Sequence, residues 1–229
     1  MTQRLLGAAV PGFAPPPAPG PALIEGRHVT LERLDPARHA DDLFAANAGQ
    51  DRVWDYLPYG PFADLRAYRD WQASMAGLSD PFFYAFRDRE TGGIGGLGAY
   101  LRIERGHGVI EIGHIGIAPF MQRSTAATEA ISLMIGWAFA AGYRRVEWKC
   151  DALNEPSRRA ARRYGFTHEG VFRQHLIVKG RNRDTAWFSI IDSEWPSLAR
   201  AHALWLAPGN FDARGCQRQS LGELTAREA

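Results

Sequence analysis

A strand, a turn of small residues and the start of a helix follow one another at residues 115–130, I-G-I-A-P-F-M-Q-R-S-T-A-A-T-E-A. The first turn of such a helix has unpaired backbone N–H groups and the positive end of the helix dipole. Both favour the binding of a phosphate or pyrophosphate, so residues 122–128 are a candidate phosphate site. The alternative stays open, because any strand-to-helix connection also favours small residues.

A second pattern begins some thirty residues later, D-A-L-N-E-P-S-R-R-A-A-R-R-Y-G-F. It places Asn154 at the end of a predicted strand and Ser157 in the first turn of the next helix. With both patterns, the chain resembles the GCN5-related N-acetyltransferases (GNAT), and within them the RimJ/RimL-type branch, which acetylates N-termini of ribosomal proteins and many small amines. The resemblance covers about residues 29–195, and its matching residues are Pro119, Gln122, Arg123, Thr128, Glu129, Ala130, Asn154, Ser157, Gly165 and Phe166.

The resemblance implies a cosubstrate, acyl-CoA, with acetyl-CoA the expected form, and it implies no metal. The pyrophosphate would bind the amides of residues 123–128. The pantetheine would lie between two splayed parallel strands that end near Ile117 and Lys149. The cofactor-binding residues on this hypothesis are Ile117, Gln122, Arg123, Ser124, Thr125, Ala126, Ala127, Thr128, Asn154 and Arg159.

Two residues of the second pattern have expected roles. The resemblance implies that Asn154 holds the pantetheine or the incoming amine and that Ser157 protonates the leaving thiolate, a step that a positioned hydroxyl can perform. The alternatives are structural: asparagine is a good helix N-cap, and Ser157 can be an ordinary residue of the first turn. Both interpretations stay open for both residues.

The chain departs from the family pattern at three positions. Thr125 replaces a glycine of the phosphate turn and adds a side chain beside the phosphates. Ala161 stands where other branches of the superfamily have a tyrosine that acts as the general acid. Ser157 is therefore the candidate acid that matches the family motif, and nearby Tyr164 is expected to pack in the core. Leu176 stands where some relatives have a glutamate base.

A general base is expected, because an amine protonated at neutral pH must lose a proton before it attacks a thioester. Glu111 and His114 are the candidates on the strand before the phosphate turn, and we favour His114. Their separation of three residues predicts opposite faces of the strand, so that at most one faces the acceptor. The alternative for His114 is a hydrogen-bonded core histidine.

A basic face is predicted on the helix of the second pattern. It could meet the 3′-phosphate of CoA or an acidic substrate, or it could simply face solvent. Its arginines are Arg158, Arg159, Arg162 and Arg163.

The elements that must position these residues follow from hydrophobic periodicity. Residues 22–34 alternate as a strand and are followed by two helices, the first capped by Asp35, and a three-stranded meander over 81–117. A long helix from Ala126 to about Gly142, a strand, the Asn154–Arg163 helix and a two-stranded hairpin come next. The expected fold is α/β: a mixed, mostly antiparallel seven-stranded sheet flanked by helices, with two splayed central parallel strands.

Composition bounds the rest. Residues 1–21 form a Pro/Ala-rich segment that is expected to be a flexible leader, and residues 22–195 are expected to form the acetyltransferase domain. Residues 196–229 are expected to form a terminal helix and a tail, and the order of the tail is doubtful beyond Pro208. The residues that share one face of this helix are Leu198, Ala201, His202 and Trp205. Lys and Arg number 27 against 25 Asp and Glu, which argues against a general nucleic-acid binder. Two cysteines with no metal or disulfide spacing fit a cytoplasmic location, and no stretch is long and apolar enough to span a membrane.

The sequence therefore favours direct transfer of an acyl group, most simply acetyl, from CoA to a primary amine of a peptide N-terminus or a small molecule. Neither cysteine has the setting of a nucleophile. A larger acyl group such as succinyl, a non-catalytic acyl-CoA-binding or regulatory protein, and an interaction module that uses the arginine-rich helix are the alternatives. A homodimer is compatible with all of them.

Overall fold

The computed structural model describes residues 6–226, and within them a mixed sheet of eight strands runs through the molecule in the order β1-β2-β3-β4-β5-β6-β8-β7. All neighbouring strands are antiparallel except β5 and β6, which are parallel. The mixed α/β class is therefore confirmed. The strands are β1 Leu23–Glu25, β2 Val29–Arg33, β3 Phe82–Asp88, β4 Ile94–Glu104, β5 Val109–Ile117, β6 Arg145–Asp151, β7 Thr167–Val178 and β8 Arg181–Ile191.

Helices cover both faces of the sheet. Helices α1 and α2 enclose one apolar cluster with β3 and β4, whereas α3 to α6 pack on the other face around a larger cluster that includes β5, β6 and β8. This arrangement keeps both faces of the central strands out of water. The helices are α1 Pro36–Ala46, α2 Leu65–Ala76, α3 Thr125–Ala140, α4 Glu155–Arg163, α5 Trp195–Leu206 and α6 Leu221–Ala226.

Side-chain caps fix where four of the helices begin. Asp35 accepts a hydrogen bond from the amide of Ala37 at α1, and Asp64 caps α2 in the same way. Ser124 and Asn154 cap α3 and α4. Each oxygen satisfies one of the amides that have no partner inside the helix.

The segment that was predicted to form the first of seven strands, residues 22–34, forms two paired strands, β1 and β2, so the sheet has eight strands. Buried Glu129 of α3 explains the turn: its carboxylate accepts hydrogen bonds from the amides of Arg27 (2.9 Å), His28 (2.6 Å) and Val29 (3.0 Å). A side chain at Gly26 would collide with this carboxylate. The fold therefore needs a glycine at the turn, and an acidic residue one hundred positions later closes it.

The Pro/Ala-rich segment contacts the domain over its described second half. The hydroxyl of Tyr143 donates to the carbonyl of Pro17 (2.9 Å), Tyr84 donates to Pro21 (2.8 Å), and Arg105 Nε donates to Pro16 (2.7 Å). These bonds satisfy two buried phenols and one guanidinium. Residues 16–21 thus differ from the expected flexible leader, of which residues 1–5 lie outside the described part.

The C-terminal segment is also more ordered than expected. Leu198, Ala201, His202 and Trp205 are all buried, which confirms the predicted face of α5. Beyond Pro208 the chain forms a short 3-10 turn and then α6, whose Leu221 and Leu224 are buried against the core. These leucines complete the apolar layer around α4 and α5, which the expectation of doubtful order beyond Pro208 did not include.

Among residues 6–226, none of the helices has the length and hydropathy that crossing a bilayer requires. In the same residues, no group of three or more His, Cys, Asp or Glu side chains could hold a metal ion.

Substitution of Glu129 by Gln tests the closure of the β1–β2 turn. The variant loses the negative charge and turns one acceptor into a donor that faces amides, so the free energy of unfolding should fall by about 2 kcal/mol. Urea denaturation followed by circular dichroism measures it. The control Glu104→Gln, at an exposed position, should change it by less than about 0.5 kcal/mol. Equal losses in both variants would contradict the role of Glu129.

Candidate active site

The separation of β5 from β6 creates the site. The two strands pair over only three residues, Val109–Glu111 with Arg145–Glu147. Beyond these pairs β5 continues to Ile117 along β4, and β6 continues to Asp151 along β8. The facing edges therefore diverge, as predicted, and leave a cleft that crosses the sheet.

A β-bulge lies where β5 leaves β6. Leu97 pairs with Gly116 and Ala99 with Gly113, so β5 has one residue more than β4 in this interval, and His114 adopts a left-handed φ of 52°. An extra residue bends a strand and shifts the alternation of its side chains. Glu111 and His114 consequently line the same cleft. His114 packs against Phe83 of the α1 and α2 cluster, and alternation with the core residues Ile110 and Ile112 directs Glu111 to that same face. The expectation that they lie on opposite faces was wrong because it assumed a regular strand.

The N-terminus of α3 lies at one wall of this cleft. Ser124 Oγ accepts a hydrogen bond from the amide of Ala127, and Thr128 Oγ1 donates to the carbonyl of Ser124. The amides of Thr125 and Ala126 have no hydrogen-bond partner within the described part of the chain. They are free donors at the positive end of the helix dipole, which fits a pyrophosphate.

The turn before α3 has its own internal support. Arg123 adopts a φ of 61°, which reverses the chain just before Ser124. Gln122 Nε2 donates to the carbonyl of Ile117 at the end of β5 (2.9 Å). In this structure, therefore, the side chain of Gln122 ties the turn to the strand.

The cleft has a volume of about 2480 Å³, well above the size of an ordinary small-molecule pocket, so a long cosubstrate and an acceptor fit together. Its lining is basic, although the whole chain is nearly balanced. A polyanion such as CoA is favoured there. The charged lining residues are Arg27, Arg52, Arg89, Arg102, Arg123, Lys149, Arg159, Arg162, Arg163 and Arg183, with Asp88, Glu90, Glu111 and Asp151.

Comparison with known proteins decides the family. A model of the acetyltransferase (GNAT) domain matches residues 28–167, which include the divergent strands and the helix N-terminus. The chain belongs to the GNAT acetyltransferases. It is therefore an acyl-CoA-dependent acetyltransferase whose cosubstrate is acetyl-CoA.

Individual relatives agree with this GNAT assignment. A GCN5-related N-acetyltransferase from Brucella melitensis is 45% identical, with a TM-score of 0.92, and the match covers 95% of this chain and 100% of that one. A GNAT-family protein from Chromobacterium violaceum is 41% identical, with a TM-score of 0.79, over 84% of this chain and 98% of that one. The Bacillus subtilis protein named "Putative ribosomal N-acetyltransferase YdaF" is 27% identical over 73% of this chain and 93% of its own. Its name is consistent with the RimJ/RimL-type branch.

The residues of the second sequence pattern, D-A-L-N-E-P-S, lie at the start of α4. Asn154 caps the helix, and its Oδ1 accepts from the amide of Ser157 (3.1 Å). Ser157 Oγ accepts from the indole N–H of Trp148 (2.9 Å), which lies buried on β6. Both side chains line the cleft, as does Cys150. The structure thus shows the capping role of Asn154, which also lines the cleft.

Glu111 is buried in an ion-paired chain. Its carboxylate lies 3.1 Å from Lys149 Nζ and 3.0 Å from Arg102 Nε, and Lys149 in turn pairs with Glu147 (2.7 Å). Burial raises the pKa of Glu111, and the two cations oppose that rise. A carboxylate committed to two cations is poorly placed to accept a proton from an amine.

His114 lies among aromatic rings rather than among polar groups. Its ring stacks on Tyr59 and packs against Phe83, and its Nδ1 is buried with no hydrogen-bond partner among residues 6–226. Burial, with help from the positive charges of Arg102 and Arg183, lowers the pKa of His114 to about 4. A base this weak accepts a proton from an ammonium group only with difficulty at neutral pH.

Three of the four arginines of α4, namely Arg159, Arg162 and Arg163, line the cleft. The side chain of Arg159 is 68% exposed and lies 4.0 Å from Glu155, so it is free to move toward an anion. Arg163 packs over Trp205 of α5. Ala161 is fully buried, and Tyr164 packs on Trp148 as expected.

Sequence reasoning missed several residues that shape the site. Trp148 holds Ser157, and nothing in the strand sequence R-V-E-W-K-C-D indicated that role. Arg102 and Arg183 enter the cleft from β4 and β8, which no motif connects. The C-terminal segment forms a further wall through Trp205, Leu206, Pro208, Phe211, Gln217 and Thr225.

The low pKa of His114 predicts a loss of stability in acid. The unfolded chain has an ordinary histidine pKa near 6.5, so it binds more protons than the folded chain between pH 6.5 and pH 4. The free energy of unfolding should therefore fall as pH is lowered through this window. His202, whose pKa burial also lowers to about 4, contributes in the same direction.

Replacement of His114 by Phe isolates its share, because Phe keeps an aromatic ring and does not titrate. The slope of unfolding free energy against pH should decrease by the equivalent of about one proton between pH 6.5 and 4. Urea denaturation at several pH values measures it, with the exposed His107→Phe as control. An unchanged slope for His114→Phe would show that the ring is not buried neutral.

Proposed function

We propose that this GNAT transfers the acetyl group of acetyl-CoA directly to a primary amine, with Ser157 as the general acid. The supporting observation is the hydrogen bond from Trp148 to Ser157 Oγ. Because Ser157 Oγ accepts a hydrogen bond from the indole N–H, its own hydrogen is available for donation to another group. The same bond stabilises negative charge on Oγ after that hydrogen leaves.

The chain would hold the cosubstrate from both sides of the cleft. The free amides of Thr125 and Ala126 would bind the pyrophosphate, with Arg123 and Arg159 close enough to add charge. The unpaired strand edges beyond Glu111 and Glu147 would bind the amides of the pantetheine as an added strand does. When bound, acetyl-CoA would supply the activated thioester, and the strand edges of β5 and β6 would hold it.

The proton balance of the step follows from these positions. The nitrogen of the acceptor forms a bond to the acetyl carbon, and the bond from that carbon to sulfur breaks. Ser157 Oγ–H gives its proton to the sulfur, which leaves as the thiol. The nitrogen releases one proton to water before it attacks, when the ammonium form becomes the neutral amine, and a second one after the new bond has formed. Ser157 recovers one proton from water, so the reaction releases one net proton and leaves no charge on the protein.

The structure supports direct attack because neither cysteine suits a covalent mechanism. Cys150 lines the cleft, but burial raises the pKa of its thiol, so little thiolate forms at neutral pH. Cys216 is exposed and does not line the cleft. Ser157 is the hydroxyl placed by the second motif.

We assign deprotonation of the amine to water rather than to Glu111 or His114. Glu111 is buried between two cations, and His114 has a pKa of about 4. The positive charges that lower the pKa of His114 would also favour the neutral form of an amine bound beside it. The sequence-based preference for His114 as base therefore has less support than Ser157 as acid.

The remaining assignments come from the sequence and the relatives' names. A peptide N-terminus is one acceptor class, because the related YdaF is named as a ribosomal N-acetyltransferase. The domain boundaries near residues 22 and 195, a homodimer and a cytoplasmic location stay predictions.

Substitution of Ser157 by Ala tests the proposed acid. The turnover number should fall about a hundredfold, the lower range for loss of a general acid, while KM for acetyl-CoA stays within about twofold. CoA release is followed with a thiol reagent over a panel of amines, and Ser79→Ala, in an exposed loop, is the control. Unchanged turnover would remove Ser157 from the mechanism, and tight acetyl-CoA binding without amine-dependent release in the native enzyme would favour a non-catalytic binding protein.

Substitution of Trp148 by Phe tests the support of Ser157. Phe retains the packing on Tyr164 and Phe166 but has no N–H donor, so turnover should fall about tenfold, the equivalent of one hydrogen bond. In the Ser157→Ala background the same change should cost less than about twofold, because its partner is absent. Additive losses in the double variant would mean that Trp148 acts independently of Ser157.

A further inference from the structure

The face of the sheet that carries α1 and α2 has a basic cluster, Arg102, Lys149 and Arg183, that the phosphates of CoA do not explain. Glu111 lies between Ile110 and Ile112, which belong to the core around α3, so alternation directs it to the other face. Lys149 alternates in the same way between Trp148 and Cys150. The phosphate site at α3 is therefore on the opposite face.

Most charges on this face balance one another. They form one chain in which each cation contacts a carboxylate: Arg102 with Glu111, Glu111 with Lys149, Lys149 with Glu147, Glu147 with Arg145, and Arg145 with Glu169. The chain holds three cations and three anions. Arg183 stands outside it and forms no ion pair with any carboxylate of residues 6–226.

Arg183 is nevertheless held in place. Its Nε donates to Oγ1 of Thr185, which is 1% exposed and also bonds to His175 Nδ1 (2.9 Å). Arg183, Thr185 and Trp187 follow one another on the same face of β8, and Lys149 Nζ lies 3.8 Å from the centre of the Trp187 ring. The rest of the Arg183 guanidinium has no hydrogen bond to any group of residues 6–226, and Arg183 lines the cleft.

A bulge in β4 directs Arg102 toward the same region. Arg102 lies at this bulge with a φ of 47°, where the carboxylate of Asp80 accepts from the amides of Arg102 and Ile103. Its Nε lies 3.0 Å from the carboxylate of Glu111, and its side chain is 46% exposed. Arg102 and Arg183 both lower the pKa of His114 and of His175, beside the larger effect of burial, so their fields overlap there.

We propose that Arg183, together with Arg102, binds an anionic oxygen group of the acceptor, so that the acceptor is an amine that also carries a carboxylate or a phosphate. This inference rests on the proposed acetyl transfer and names its substrate class. Planar guanidinium groups bind such oxygens through paired hydrogen bonds. Polyamines and other polycationic amines would be repelled by the same charges.

The anion belongs to the acceptor rather than to the acyl group. Ser157 contacts Trp148, whose side chain packs in the core around α3, so the thioester end is bound from that side. Arg183 lies across the sheet from it. The acceptor therefore reaches the thioester from the face of α1 and α2, through the gap between β5 and β6.

Binding measured without turnover tests this proposal separately from the reaction. Calorimetric titrations of the enzyme–CoA complex would use matched pairs: α-amino acids against their carboxamides, and aminoethyl phosphate against aminoethanol. Each pair shares the amine and differs in the anion. The native enzyme should bind one anionic series at least about tenfold more tightly, and that series identifies carboxylate or phosphate.

Three variants complete the test. In Arg183→Gln the preference should fall below about threefold, with KM for acetyl-CoA unchanged, whereas Arg173→Gln, at an exposed site outside the cleft, should retain it. Arg102→Gln should weaken the same preference. Equal binding of charged and neutral partners, tighter binding of spermidine, or an Arg183 effect confined to succinyl-CoA as donor would overturn the proposal. Anion-selective binding without any acetyl transfer would instead contradict the proposed function alone.

Discussion

The divergence of two parallel strands is the constraint on which the rest of this structure depends. Strands β5 and β6 pair for three residues and then separate at a bulge centred on His114. A sheet interior normally has no unpaired backbone groups, because each one buried without a partner costs free energy. The gap therefore suits a ligand with its own amide groups, and the helix N-terminus beside it adds a site for that ligand's phosphates. Cosubstrate binding and access of the acceptor both follow from one interruption of the pairing.

Long-range contacts hold the walls around this gap. Glu129 ties α3 to the β1–β2 turn, and α5 and α6 support α4 through Trp205 and Thr225. On the other face, Lys179 donates to the carbonyl of Trp54, and Tyr56 contacts the carbonyl of Leu153. These bonds connect the first half of the chain to the second across the cleft. The site is therefore assembled from segments that lie far apart in sequence.

The sequence predicted most of the fold and several residues that line the candidate site, and it missed the rest because of the range of the interactions. Helix caps such as Asp35 and the periodicity of α3 are local, so they were readable, and the family motifs located residues 122–128 with Asn154 and Ser157. The bulge at His114 could not be predicted from the sequence, because it depends on how β5 pairs with β4. The turn at Gly26 was missed because its partner, Glu129, is one hundred residues away. Arg102 and Arg183 belong to no motif, and only the folded sheet brings them together.

Hydrogen–deuterium exchange with and without acetyl-CoA tests the central claim most directly. If the cosubstrate binds in the gap, its addition should slow exchange at the amides of Thr125 and Ala126 and along the facing edges of residues 112–117 and 148–151, and it should leave the α1 and α2 helices unchanged. Protection confined to other segments, with these amides exchanging as fast as in the free protein, would contradict the account.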